Sequence, residues 1–387
     1  SSKCVAGTLS CIGCCVVQMA LRQSAVLTIL WLQLGVIADE SQEALTGPLQ
    51  QPTKVIFPAD FAAKQGAQCL DQSPAGYYIR QQDPKRWVFY LQGGGLCVEL
   101  VDCITRSHSA LGSSTKWPAV WKPAESPIFS AEPTAVFKDF SQVYIPYCSG
   151  DMWLGTDRSR RVAIGDLQMS GHLILEAVLK HLSEQTLLTN ASEVYITGSS
   201  AGGVGTIQHA DWFREKLPKQ KVFAMPSAGM FFPSGWPVLY VGFAIGFKTP
   251  VEDIAAKWCH NIEGGDGGGF LHPGCTAAAE ASGTSKGTCF DVSNVLPHVK
   301  TDIFILNNQF DEVQIHDLGL CPKSHCNQDS ASTSTSGRFI RLFGQRMNET
   351  LHDLIRVNPR VGVFLPAWFD HGNWLKEEIA GRGRGLH

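Results

Sequence analysis

Charge is scarce in this chain. Lys, Arg, Asp and Glu make up 17% of its 387 residues, and 32 basic against 35 acidic side chains leave a formal net charge of -3. Such a balance speaks against nucleic acid or an anionic membrane as a partner. One Arg-Gly tract, "GRGRG", falls in a terminal stretch (376–387) that reads as a disordered tail. Long apolar runs are lacking as well. "AVLTILWLQLGVIA" (25–38) spans 14 residues, short of the roughly 20 that cross a bilayer as a helix. No internal repeat is visible. The cluster "GGDGGG" (264–269) is not followed by Lys-Ser/Thr, which excludes a phosphate-binding loop and leaves a connection. Cys11, Cys14 and Cys15 meet no second ligand pair at zinc spacing, so neither a metal nor another cofactor is expected.

What is present begins with a leader-like segment. The first methionine is Met19, and Arg22, the apolar run and small Ala38 follow before Asp39. This layout reads as a secretory signal over 19–38, preceded by an upstream extension over 1–18; the alternative is an uncleaved membrane anchor. Secretion gives meaning to the cysteines. Nine follow the signal: Cys69, Cys97, Cys103, Cys148, Cys259, Cys275, Cys289, Cys321 and Cys326. In an oxidising compartment most are expected in disulfides, and an odd number leaves one unpaired or bridging chains. The glycosylation triplets at Asn190 and Asn348 fit the same compartment.

From about residue 44 to 375 the chain alternates between two patterns. Short runs that are apolar nearly throughout recur: "RWVFYL" (86–91), "VYIPY" (143–147), "VYIT" (194–197), "VFAM" (222–225), "DIFIL" (302–306) and "VGVFL" (361–365). They read as strands covered on both faces. Helical patterns are expected between them, over 165–184, 201–217 and 339–357. In the first, Ile174, Val178 and Leu182 share a face that Leu175 and Leu179 widen. Such alternation predicts one α/β domain with a mainly parallel sheet. The aromatic-rich stretch 229–247 has no clean period and is a candidate wall for an apolar pocket, or else core or lid packing.

Chemistry enters at "YITGSSAGGV". Strand, then Gly198-Ser199-Ser200-Ala201-Gly202, then helix, fits G-x-S-x-G with Ser200 at its centre. A sharp turn raises that serine above the sheet edge, and the following helix aims its N-terminal amides at the reacting centre. Ser199 holds the position whose side chain points away. A serine nucleophile needs a base, and the base an orienting acid, each on a loop after a later strand. Asp311 follows "DIFIL" and His371 follows "VGVFL". Glu312, His316, Asp317, His325, His352 and His387 are weaker candidates on position. An oxyanion needs backbone N–H donors. Ala201 supplies one, and the glycines at 93–95, directly after a strand, supply the others. A glycine-rich turn alone carries no chemistry; the ordered set does.

At these residues the sequence resembles the Notum/pectinacetylesterase family of secreted serine esterases, which have the α/β-hydrolase fold. The matching stretches are "CLDQSPAGYYIR" (69–80), "RWVFYLQGGGLC" (86–97), "VYIPYCSGDMWLG" (143–155), "GSSAGGVG" (198–205) and "NQFDEVQI" (308–315). "PYCSGDMW" and "QFDEVQ" are nearer the animal Notum branch, which removes fatty acyl groups from Wnt proteins. The triple glycine is similar to the plant branch, which deacetylates pectin. The resemblance implies Ser200, Asp311 and His371 as the triad and Gly94, Gly95 and Ala201 as oxyanion donors. It also implies the disulfides Cys69–Cys148, Cys97–Cys103 and Cys275–Cys289, with Cys321–Cys326 as the next pair and Cys259 left over. Two departures stand out. Trp368 occupies the place of the family's cysteine in Cys-x-x-His, and the family's Asp-Ser/Ala-Gly is "SAG" (227–229) here. The resulting expectation is a secreted carboxylesterase acting on an acylated protein, glycan or small-molecule ester. A polysaccharide acetylesterase and a non-catalytic binding protein are the alternatives.

Overall fold

The computed structural model describes residues 51–97, 100–121, 127–130, 132, 135–156, 160–162, 165–231, 269–317 and 335–372. The expected signal, the upstream extension, residues 264–268 of the glycine cluster and most of the aromatic stretch 229–247 lie outside them.

In chain order the elements are β1 (Thr53–Ile56), α1 (Ala59–Gln65), β2 (Gly76–Arg80), β3 (Asp83–Leu91), α2 (Leu100–Ser107), β4 (Phe140–Ile145), β5 (Arg160–Val162), β6 (Gly165–Leu167) and α3 (Gly171–Gln185). They continue with β7 (Glu193–Ser199), α4 (Ala201–Lys216), β8 (Lys221–Ser227), α5 (Pro273–Ser282), α6 (Val292–Val295), β9 (Asp302–Leu306), α7 (Glu312–Asp317), α8 (Thr335–Val357) and β10 (Val361–Phe364). Eight strands form one sheet in the order β1-β2-β4-β3-β7-β8-β9-β10. From β4 to β10 every pairing is parallel, while β1–β2 and β2–β4 are antiparallel. This mixed sheet with helices on its faces is the α/β-hydrolase architecture that the resemblance implies, and its run of parallel pairings is what the apolar strand runs predict.

Burial explains the central elements. Trp87 to Leu91 in β3 are buried without interruption, as a strand between two parallel neighbours requires. Helix α4 is buried at every position from Ala201 to Phe213, so its apolar side chains cover all faces rather than one stripe. Two expectations shift. The helix expected from residue 165 begins at Gly171, because Gly165–Leu167 pairs with Arg160–Val162 as a two-stranded ribbon. The strand at 143–147 begins three residues earlier, at Phe140, and ends at Ile145. Cys69–Cys148, Cys97–Cys103 and Cys275–Cys289 are disulfide-bonded in the structure; Cys259, Cys321 and Cys326 lie outside the described residues. Among the described residues no helix is long and apolar enough to cross a membrane.

Candidate active site

Ser200 stands between the end of β7 and the start of α4 with φ 59° and ψ -122°. A side chain in this region costs about 1–3 kcal/mol and persists only where the surroundings impose it. Here they do. The Ser200 amide donates to the Ser227 carbonyl at 3.0 Å, and the Ser200 carbonyl accepts from Gly203 and Val204 at 2.8 and 3.0 Å. The backbone is packed so closely that a Cβ at Gly202 would lie 1.9 Å from the Leu91 carbonyl oxygen. Ser200 is half-buried, whereas Ser199 is buried and turned toward Gly372, where an added Cβ would lie 3.8 Å from Ser199 Oγ.

Asp311 and His371 meet because β9 and β10 are parallel neighbours and their exits continue side by side. The Asn307, Gln309 and Phe310 amides donate to the Phe364, Pro366 and Trp368 carbonyls at 3.1, 2.9 and 3.2 Å, and Phe310 pairs with Phe369. One step further on this ladder, His371 Nδ1 lies 2.9 and 2.8 Å from the two carboxylate oxygens of Asp311. Asp311 is fully buried, and one of its oxygens also accepts from the Gln314 amide at 3.2 Å. Asn308 Nδ2 donates to the Asp370 carbonyl at 2.8 Å and so ties the histidine loop to the acid's loop. A buried carboxylate on both sides of Nδ1 keeps the proton there and leaves Nε2 as the ring's basic nitrogen. Of the weaker candidates, His316 and Asp317 sit on α7 and His352 on α8. His325 and His387 are outside the described residues.

The glycine loop lies against the serine turn: a Cβ at Gly93 would fall 2.3 Å from the Ser199 carbonyl oxygen and 3.0 Å from Ser200 Cβ. Gly95 has φ +74°, a conformation that glycine adopts without steric cost. Side chains hold three of the loop's carbonyls. Trp153 Nε1 donates to Gln92 O at 3.1 Å, Arg106 Nη1 to Gly94 O at 2.5 Å and Tyr147 Oη to Gly95 O at 2.9 Å. The amides of Gly94, Gly95 and Ala201 have no hydrogen-bond partner among the described residues. Three amides left open beside half-buried Ser200 can donate to a negatively charged oxygen.

Sequence reasoning missed the supports of this cradle. Asp151 is fully buried and accepts from Ser149 Oγ at 2.5 Å and from the amides of Trp153, Gly155 and Gly171 at 3.0, 3.1 and 2.7 Å. Burial raises its pKa, and those four donors oppose the rise. They fix a turn in which Met152 and Trp153 both have positive φ. That turn places the Trp153 indole on Gln92 and the Met152 amide 2.6 Å from Tyr147 Oη. Burial first, and Asp151 second, raise the Tyr147 pKa well above its ordinary value, so the phenol remains a donor. The motif "PYCSGDMW" carries Tyr147, Ser149, Asp151, Met152 and Trp153 of this network, but as a pattern of letters it shows no hydrogen bonds. Of the glycosylation triplets, Asn190 is exposed, while Asn348 is half-buried on α8 with Thr350 buried.

Fold and site together define an α/β-hydrolase with a serine turn. A family model described as pectinacetylesterase matches residues 51–381, and the chain belongs to that family. It is 28% identical over 331 residues to the palmitoleoyl-protein carboxylesterase notum1a of Danio rerio, covering 82% of this chain and 62% of that protein. It is 29% identical over 286 residues to pectin acetylesterase 5 of Arabidopsis thaliana, covering 70% of this chain and 62% of that one. Human palmitoleoyl-protein carboxylesterase NOTUM is 26% identical, with 82% and 63% covered. This chain therefore spans a little over three-fifths of the length of these relatives. Among solved structures, the Wnt deacylase Notum from Drosophila superimposes with a TM-score of 0.64 at 24% identity, over 84% of this chain and 86% of that one. That likeness shows the fold.

Proposed function

We propose that the protein is a secreted serine carboxylesterase that hydrolyses O-acyl esters. The observation that carries this reading is the pairing of His371 Nδ1 with both oxygens of buried Asp311 beside a serine held in a strained turn. In the reaction Ser200 Oγ attacks the ester carbonyl and gives its proton to His371 Nε2. Asp311 holds the imidazole and stabilises the imidazolium. The tetrahedral oxyanion accepts from the Gly94, Gly95 and Ala201 amides. Collapse expels the alcohol, which takes the proton from His371. Water, deprotonated by the same histidine, then attacks the acyl-enzyme, and Ser200 is restored with release of the acid.

The substrate is an acylated protein, glycan or small ester. The relatives named for palmitoleoyl-protein support a long acyl chain, and those named for pectin support acetyl. The aromatic stretch 229–247 favours the longer chain, and of that stretch Gly229, Met230 and Phe231 fall within the described residues. Met230 is buried and the Phe231 ring centroid stands 6.0 Å from that of His371.

A series of p-nitrophenyl esters from acetyl to dodecanoyl separates these readings, with Ser200→Ala as control. Rising efficiency toward the longer esters is expected, and preference for acetyl would sink the long-chain reading in favour of polysaccharide deacetylation. A fluorophosphonate probe should label Ser200 in the folded protein and not after unfolding. A folded protein that stays unlabelled and hydrolyses nothing is a binding protein on an esterase scaffold.

A further inference from the structure

We infer that Arg106 is a positioning residue for the oxyanion cradle, setting the plane of the peptide between Gly94 and Gly95; this rests on the esterase reading above. A trans peptide is planar, and its carbonyl and N–H point in opposite directions. Arg106 Nη1 holds the Gly94 carbonyl at 2.5 Å, so the Gly95 N–H is turned the other way. Without that bond the plane is free to swing. Gly94 and Gly95 have no side chains to resist rotation, and at Gly95, with φ +74°, an added Cβ would meet Arg106 Nη2 at an ordinary contact distance of 3.7 Å.

The arrangement around Arg106 suits this single task. Its helix, α2, is joined to the end of the glycine loop by Cys97–Cys103, three residues before Arg106. The Cys97 amide donates to the Gly150 carbonyl at 2.9 Å, and the Arg106 Cδ approaches the same glycine. Its Nε is buried with no hydrogen-bond partner among the described residues. An orphaned donor is costly to bury, so the guanidinium is placed here for the Gly94 carbonyl and not for its own satisfaction. The positive charge also lies behind the peptide whose N–H meets the oxyanion, where it adds to the stabilisation.

The test uses the full chain with Arg106→Met and Arg106→Lys, assayed for kcat and KM on a p-nitrophenyl ester and for inhibition by a trifluoromethyl ketone, whose adduct bears the oxyanion. Removing an oxyanion donor outright costs about 100–1,000-fold in kcat; loosening one is expected to cost less, about 10–100-fold. KM should change little, ketone affinity should fall by the same factor as kcat, and Lys should recover part of both. Arg106→Met that folds and keeps its kcat overturns the inference. So does a fall in kcat with ketone affinity untouched, the result of a merely structural role. If Arg106→Met does not fold, Arg106→Lys and Arg106→Gln decide by the same parallel between kcat and ketone affinity. Failure of the unsubstituted chain to hydrolyse any ester would instead overturn the esterase reading and this inference together.

Discussion

The loops 92–95 and 365–372 flank the same serine turn and are held in different ways. In the glycine loop the carbonyls of Gln92, Gly94 and Gly95 accept from Trp153, Arg106 and Tyr147, and a disulfide closes its far end. The histidine loop is carried by a main-chain ladder to 307–310 and by Asn308. Trp368, at 43% exposure, stands where the resemblance leads one to expect a cysteine. The jobs proposed for the two loops differ in the same sense. An amide cradle works only if its dipoles are in place before charge develops. An imidazole must exchange a proton with serine, leaving group and water in turn, so its carboxylate partner matters more than a stiff loop.

Breaking the carboxylate partnership should therefore have the largest effect. Asp311→Asn keeps the shape of the pair but presents the wrong donor and acceptor to Nδ1. Its kcat is expected to fall about 10,000-fold, with thermal stability close to that of the unsubstituted protein. A loss under tenfold would show that another acid orients His371, with Glu312 the next to test.

Next comes the stiff side. Gly93→Ala would press a methyl group into the Ser199 carbonyl, so loop and serine turn must part; a loss of about 100–1,000-fold in kcat is expected. Gly95→Ala makes only an ordinary van der Waals contact with Arg106 Nη2, and its penalty is backbone strain of about 1–2 kcal/mol, with a smaller kinetic loss. Equal losses at the two positions would mean that close approach is not what the loop depends on. On the ladder side, Asn308→Ala should lower kcat about tenfold by releasing the bond to the Asp370 carbonyl, a hydrogen bond being worth about 0.5–1.5 kcal/mol net. A greater loss there than at Gly93 would invert the comparison.

The sequence made the strands of this fold legible where burial on both faces leaves an uninterrupted apolar run, as in "DIFIL" and "RWVFYL". Strand β2, "GYYIR", is buried throughout but ends in an arginine that bonds Gln142, and β1 is half-exposed; neither has a run long enough to announce itself. Helix α4 was placed by the serine motif before it and not by periodicity, since a helix buried on all sides has none. Ser200, Asp311 and His371 were legible as candidates because each follows a strand in a fixed order. Arg106, Tyr147 and Asp151 were not, because their roles are hydrogen bonds between residues 12 to 52 positions apart and, for Asp151, to a turn of its own making.

A last substitution separates the frame from both loops. Within the buried helix α4, His209 Nδ1 donates to the Gly205 carbonyl at 2.8 Å, so its Nε2 accepts from His172 Nδ1 at 3.0 Å. Phe270 stacks on both rings at 4.2 and 4.4 Å. Burial, reinforced by the Lys216 charge, lowers the His172 pKa from 6.5 to about 4; Glu176, 3.9 Å from Nε2, opposes this. Between those values the unfolded chain binds a proton that the folded one refuses. Stability from this site is therefore complete above pH 6.5 and lost as pH falls toward 4, by about 3 kcal/mol. His209, lowered well below 6.5 by burial and by His172, adds in the same direction. His172→Gln keeps a donor for His209 and does not titrate. Its denaturation midpoints should vary less between pH 7 and pH 4, while kcat at neutral pH stays unchanged because neither loop is touched. Midpoint curves that run parallel for the two proteins would remove His172 from the acid sensitivity, and a fall in kcat at neutral pH would show that the helix transmits the histidine pair's packing to the serine turn.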